Sequence, residues 1–243
     1  MRRRLAAGAA AVLLILAAGT LLYFRRGSSP PVPAARSAAE RPPLMLLTTL
    51  PLMFPHGFTL NAPPSAALEA LQSRYRIVPI SVADAGELDH RRLLLMAQPQ
   101  AQPAEALVDL DNWVRAGGRV LLLADPALEW PSDRPLGSLL RPPFAFADTG
   151  LLAHWGLRLE APDRLGSAER DFDSRTLHTE SPGSLAPTGN GCTVSNDGFV
   201  ARCSIGKGRA TVIADADFLN IPSSGGESPN LDVLLIELGR LEH

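Results

Sequence analysis

Only two cysteines, Cys192 and Cys203, occur in 243 residues, which excludes a disulfide-dense scaffold and a four-cysteine zinc site. Aromatic residues make up just 5%. No His-Glu-x-x-His, no His-x-His and no acidic calcium loop is present, so the sequence predicts no metal centre and no cofactor. Gly-x-Ser-x-Gly and Gly-x-Cys-x-Gly elbows are also missing, which removes the usual strand-to-helix seat of a nucleophile. Gly206-Lys207-Gly208 leads into a strand, whereas a phosphate loop must lead into a helix. Catalysis has no visible engine, and the chain reads as a non-enzyme.

Charge is distributed unevenly. The formal net charge is -2 and mean hydropathy is +0.06. Five of the 23 basic residues (Arg2, Arg3, Arg4, Arg25 and Arg26) fall in the first 26 positions, and none of the 25 acidic residues do. The remainder carries 18 basic against 25 acidic residues, a net -7. A body this acidic excludes nucleic acid as a partner, because that function needs a concentrated basic face.

Between those arginines, Leu5 to Phe24 is a run of twenty uncharged residues, long enough as a helix to span the ~30 Å hydrocarbon core of a bilayer. A cleaved signal peptide is the competing reading. The run is longer than a usual signal core and ends in Tyr-Phe-Arg-Arg rather than a small-x-small site. Residues 1–26 are therefore expected to be an uncleaved anchor. The arginine bias places the N-terminus in the cytoplasm and the body outside it, in the periplasm if the source is bacterial. Residues 27–43 form a Pro/Ala/Ser-rich spacer, and residues 44–243 a globular domain with a sizeable core.

That domain opens with continuous apolar runs of strand length: Leu44 to Leu50, Tyr75 to Ile80, Leu93 to Ala97 and Arg119 to Ala124. Continuous rather than alternating apolarity suits strands covered on both faces of a parallel sheet. Helices fit between them. One is capped by Ser65, and another starts after Pro103 and ends at Gly117-Gly118. Strand and helix alternating with short joints predict an α/β fold. Glu129 to Asp148 is a Pro-rich excursion, Gly150 to Trp155 a short helix and Asp163 to Pro187 a polar loop. Arg209 to Ala214 is a late buried strand and Asn230 to Leu241 a terminal helix.

Cys192 to Ser195 and Phe199 to Ile205 flank Asn196-Asp197-Gly198, a hairpin signal. Counting outward from a two-residue turn sets Cys192 opposite Cys203, at a hydrogen-bonded site with Cα atoms ~5.5 Å apart. That separation admits a disulfide or two facing thiols.

In open α/β sheets ligands bind beyond the carboxyl ends of the strands. The candidates there are Thr49 after the first strand, His56 in the loop that follows, Asp125 after the fourth, and Asp215 and Asp217 after the last. Together they can line a polar crevice for a hydroxylated ligand, or serve a divergent hydrolase or carbohydrate-binding enzyme. The plainer reading is that each aspartate caps turn amides where its strand ends. Of the other histidines, His154 reads as a packing residue and His178 as solvated.

Four segments also carry a resemblance. LLLMAQPQAQPAEALVDLDNWVRAGGRVLLLADP, GLLAHWGLRLE, GKGRATVIADADFLN and the apolar terminal helix occur in that order. They resemble the exterior domain of the auxiliary component of gliding-motility-type ABC transport systems, and a related family of bacterial membrane-anchored proteins of unknown function. The resemblance implies a flavodoxin-like sheet, mostly parallel with flanking helices and a late hairpin, similar to class I glutamine amidotransferases. Where those enzymes place their cysteine, this chain has Ala124-Asp125-Pro126, so amidotransferase chemistry does not transfer. The implied role is a membrane-tethered accessory of an ABC transporter, with transporter membrane subunits as partners. The chain departs from the transporter component in that one N-terminal anchor and no second membrane segment are expected, and in lacking an ATPase signature.

Overall fold

The computed structural model describes residues 30–53, 64–138, 140–195, 197–221 and 228–243. Eleven strands and five helices lie in these segments. In chain order they are β1 (Pro43–Thr48), α1 (Ala66–Arg74), β2 (Arg76–Pro79), α2 (Ala85–Leu88), β3 (Leu93–Ala97), α3 (Ala104–Ala116), β4 (Arg119–Leu123), α4 (Leu151–His154), β5 (Leu157–Glu160), β6 (Ser167–Phe172), β7 (Arg175–Glu180), β8 (Ser184–Pro187), β9 (Cys192–Val194), β10 (Val200–Ile205), β11 (Gly208–Ile213) and α5 (Pro229–Glu242). The main sheet has seven strands in the order β2-β1-β3-β4-β11-β10-β9. The first five run parallel, and β10 and β9 extend the sheet antiparallel.

The apolar strands are two-faced, as their continuous runs require. Leu44, Leu46, Leu95 and Leu121 pack on one side with α1 and α5. Met45, Leu47, Leu94 and Leu122 pack on the other with α3 and α4. Ser65 caps α1, its hydroxyl accepting from the Leu68 amide at 3.1 Å. The glycine pair after α3 has two separate jobs. Gly117 takes a φ of 124°, and a Cβ on Gly118 would strike the Trp113 ring at 2.3 Å. That indole in turn donates to the Arg91 carbonyl at 3.0 Å.

Asp163 to Pro187 is not the loop expected from its polarity. It holds β6, β7 and β8, with β6 and β7 pairing as a hairpin from Ser167↔Glu180 to Phe172↔Arg175. The connecting Asp173 and Ser174 have φ of 51° and 68°, the two positive values a type I′ turn needs. Leu177 and Thr179 face inward while the intervening residues face water. Asn230 joins this hairpin to α5, accepting from the His178 amide at 2.9 Å and donating to the His178 and Phe218 carbonyls.

Cys192 and Cys203 are register partners joined by a disulfide, with Cα atoms 4.0 Å apart. The site type differs from the expectation. Ser195 donates to the Val200 carbonyl and Ser204 to that of Gly191. A four-residue loop therefore shifts the parity, and the cysteines occupy a non-hydrogen-bonded pair. The bond closes a sequence separation of 11. From loop-closure entropy, replacing both cysteines with serine should lower unfolding free energy by about 2.5 kcal/mol. Urea titration with and without reductant is the measurement, and identical midpoints would contradict it.

The second half of the Pro/Ala/Ser-rich spacer is seated on the body. Arg36 pairs with Glu242 at the end of α5, and Tyr75 donates to the same carboxylate. The Arg36 amide reaches the Ser73 carbonyl at 2.9 Å, Pro33 lies 3.1 Å from the position of a Cβ on Gly239, and Arg175 donates to the Pro30 carbonyl at 3.1 Å. The described residues contain no helix long and apolar enough to cross a membrane. The run Leu5 to Phe24 lies outside them.

Candidate functional site

β4 and β11 are parallel neighbours with Leu123 opposite Ile213, so Asp125 and Asp215 leave the sheet side by side two residues later. Asp217 follows within a 3-10 turn, Asp217–Leu219. The structure brings these three aspartates together, but not at an open crevice: Asp125 and Asp215 are 0% exposed and Asp217 is 4%. The Pro-rich excursion covers them, with the Phe146 amide donating to the Asp125 carbonyl at 2.6 Å and that of Leu128 to the Phe144 carbonyl at 2.8 Å.

Each carboxylate has an identifiable task. Asp125 accepts from the Ala127 amide at 2.8 Å and the Ala216 amide at 2.9 Å, tying its own turn to the exit of β11. Asp215 Oδ1 accepts from the Phe218 amide at 3.1 Å. Asp217 Oδ2 accepts from the Glu129 amide at 2.7 Å, at the start of the excursion. Asp215 Oδ2 and the neighbouring Thr179 Oγ1 are buried without a hydrogen bond.

Electrostatics follow from burial. Removal from water pushes the Asp125 carboxyl up to about 6 and Asp217 up to about 7, the latter also repelled by Asp125, Glu129 and Glu180. Asp215 is driven well above the usual carboxylate range, first by burial and then by Asp125. Burial disfavours the ionised form of each carboxyl, and each one that ionises opposes its neighbours. Among the described residues no group of three or more His, Cys, Asp or Glu is arranged to hold a metal ion.

Thr49 is elsewhere. It lines a cavity of about 270 Å³ with Thr48, Ser81, Gln100, Gln102 and Leu140, at the carboxyl ends of β1 and β2 and the exit of β3. The strand order reverses between β1 and β3, where doubly wound sheets open a crevice. Its polar lining is largely engaged. Thr49 donates to the Gln98 carbonyl at 2.5 Å, Thr48 to that of Ala97 at 2.8 Å, and Gln102 accepts from the Ala83 amide at 3.0 Å. His56 lies outside the described residues. His154, read as packing, is instead more than half exposed and paired with Asp111 at 3.3 Å; the buried residue is its neighbour Trp155, whose indole donates to Asp111 at 3.0 Å. His178 belongs to β7 and its side chain is half exposed.

Two residues that organise the site escaped sequence reasoning. Gln98 is fully buried; its Oε1 accepts from the Asp125 amide at 3.0 Å and its Nε2 donates to the Asp125 carbonyl at 3.1 Å. A polar residue directly after the all-apolar LLLMA run was the available signal. Ser181, also fully buried, accepts from the Gly166 amide at 2.8 Å and donates to Glu129. It had no signal, because the strand it follows, β7, was hidden among polar residues.

A family model described as an ABC-type uncharacterized transport system matches residues 41–163. No curated protein matches the chain. Among solved structures, the mmIFT52 N-terminal domain superposes with a TM-score of 0.51 at 14% identity, covering 82% of this chain and 97% of that one. Cytoplasmic Protein STM1381 from Salmonella typhimurium LT2 gives 0.51 at 11% identity, covering 82% and 99%. The exo-beta-1,4-mannosidase Op5Man5 from Opitutaceae bacterium strain TAV5 gives 0.46 at 14%, and this chain spans 36% of that enzyme's length. The first two likenesses show a shared fold alone.

Proposed function

Since the chain belongs to the ABC-type uncharacterized transport system family, an auxiliary family, we propose that it is a non-catalytic subunit tethered beside a transporter by Leu5 to Phe24. Its body then lies on the periplasmic side of a bacterial inner membrane. The observation that carries the accessory role is the family match over the first half of the sheet, residues 41–163. Three further features support the finer reading. The apolar run is flanked by arginines on both sides. The parallel strands follow the order 2-1-3-4 and then β11, which is that of flavodoxin-like folds and supports the amidotransferase-like assignment. Finally, all three aspartates are sealed from solvent and hold backbone amides. That geometry favours a binding subunit over a hydrolase.

The test is purification of the full chain in mild detergent after co-expression with the ATP-binding and permease subunits of an ABC transporter from the same organism. A stable complex is expected, with the body digested by protease added to the periplasmic side of spheroplasts. A chain that elutes alone in every detergent, or that is protected in spheroplasts, contradicts the proposal.

A further inference from the structure

We propose that the carboxyl edge of the sheet rests on the bilayer, with the Pro-rich excursion as its lipid-contacting surface. The inference depends on the anchoring reading above and adds an orientation to it.

The route of the chain supplies the first part of the argument. Pro30 is held by Arg175, which also pairs with Asp232 in the first turn of α5 at 3.4 Å. That end of α5 abuts the exit of β11, where Asn230 donates to the Phe218 carbonyl at 3.0 Å. The other end of α5 meets the start of β4, where Arg119 donates to the Leu241 carbonyl at 2.6 Å. α5 therefore runs opposite to the parallel strands, and Pro30 sits at their carboxyl edge. Five residues, Arg25 to Ser29, separate Pro30 from the apolar run. Six Cα steps reach at most about 21 Å. The amino edge of the sheet lies a further ~20 Å away, the length of a 14-residue helix. Bringing the amino edge to the headgroups would take nearly all of that reach, so the tether favours the carboxyl edge.

The surface displayed there supplies the second part. Leu136, Leu140 and Phe144 on the excursion are 88%, 64% and 71% exposed, and Leu165 is 77% exposed. Leu140, Phe144 and Leu165 belong to this edge, and Leu136 lies on the same excursion. Phe144 and its neighbour Pro143 bond to Leu128 and Gln98 beyond β4 and β3, Leu140 lines the cavity at the end of β1, and Leu165 precedes the glycine held by Ser181. Apolar side chains clustered on one edge mark an interaction surface, and shallow insertion of such residues is how peripheral surfaces engage the acyl boundary. The opposite edge carries exposed Arg92, Lys207 and Arg209 instead. A bilayer recruited by charge alone would take that edge, so the two orientations are separable.

The full chain, carrying Phe144→Cys, Leu136→Cys or Lys207→Cys, would be labelled with bimane and reconstituted into phosphatidylcholine vesicles containing brominated lipid. The native cysteines are paired and remain unlabelled. Quenching at positions 136 and 144 is expected to exceed that at 207 at least threefold. Phe144→Asp with Leu140→Asp should bring position 136 down to the level of 207. Equal quenching at all positions, or more at 207, in protein that floats with the vesicles overturns the orientation and leaves the anchor standing. Protein that fails to float removes the anchor, and the orientation with it. Positions 136 and 144 shielded from aqueous quenchers only when permease subunits are present, without lipid quenching, would assign the surface to a protein and overturn the proposal.

Discussion

Asp125→Ala should destabilise the domain by about 4 kcal/mol, while Asp215→Asn, one strand away in the same cluster, should change stability by less than about 1 kcal/mol. The difference comes from what each carboxylate holds. Removing the Asp125 side chain strands the amides of Ala127 and Ala216, both of them on buried residues. Each orphaned buried donor costs roughly 1–3 kcal/mol. Asp215 has one oxygen bonded to the Phe218 amide and one with no partner, beside an equally unpartnered Thr179 hydroxyl. An asparagine retains the acceptor, places a donor toward that hydroxyl and removes an ionisable group from a fully buried site. Equilibrium denaturation of both variants distinguishes the two positions. Equal losses would mean that the Asp215 carboxyl does more than accept from the Phe218 amide, and that the two amides held by Asp125 do not set the difference.

Much of the sheet was legible because its strands are apolar on both faces. Leu93–Ala97 could be read in full, since all five residues are buried. The same logic hid β6 and β7. Their residues alternate weakly, with Phe172, Leu177 and Thr179 the buried positions among charged neighbours. Tertiary pairing, capped by Asn230, supplies what local pattern lacks. The disulfide partners followed from counting outward along the hairpin, but the site type did not, because loop length sets the parity and only hydrogen bonds reveal it. α5 showed the converse problem. Its apolar stripe was plain, yet fully buried Glu237 lies within it, paired with Arg202 at 2.7 Å and bonded to Thr211 at 3.2 Å. No one-dimensional pattern reports a charge matched by a partner 35 residues away.

The site was legible in position and not in environment. Strand ends identify Asp125, Asp215 and Asp217 as neighbours at one edge. Whether they line a cleft or a core depends on where the excursion folds, and a Pro-rich segment carries no periodicity from which to read that. Its return across β4, fixed by the Phe146 amide on Asp125 and the Glu129 amide on Asp217, converts a candidate crevice into a sealed corner. Gln98 completes the seal from β3 by bonding both backbone groups of Asp125.

The sealed corner makes stability fall as pH rises, the reverse of the usual trend for carboxylates in ion pairs. In the unfolded chain aspartates release their protons near pH 4. In the folded chain burial holds Asp125 to about 6, Asp217 to about 7 and Asp215 higher still. Between those limits the native state binds more protons than the unfolded state, so unfolding free energy decreases with pH. The stabilisation is complete below about pH 4 and is lost as pH climbs through 6 and 7. Asp111, Asp173 and Glu242, whose arginine neighbours hold them below the usual range despite partial burial, act in the other direction only at acid pH, outside this window. Asp125 and Asp217 alone should account for a loss of about 4 kcal/mol from pH 5 to pH 8, and Asp215 adds to it. Asp217→Asn retains an acceptor for the Glu129 amide and removes one of the three contributions, so it should flatten the slope without abolishing it. Urea midpoints at half-unit pH steps measure both curves. A wild-type midpoint that rises from pH 5 to pH 8 would show that these carboxyls ionise freely in the folded protein, and the corner could not then be closed to water.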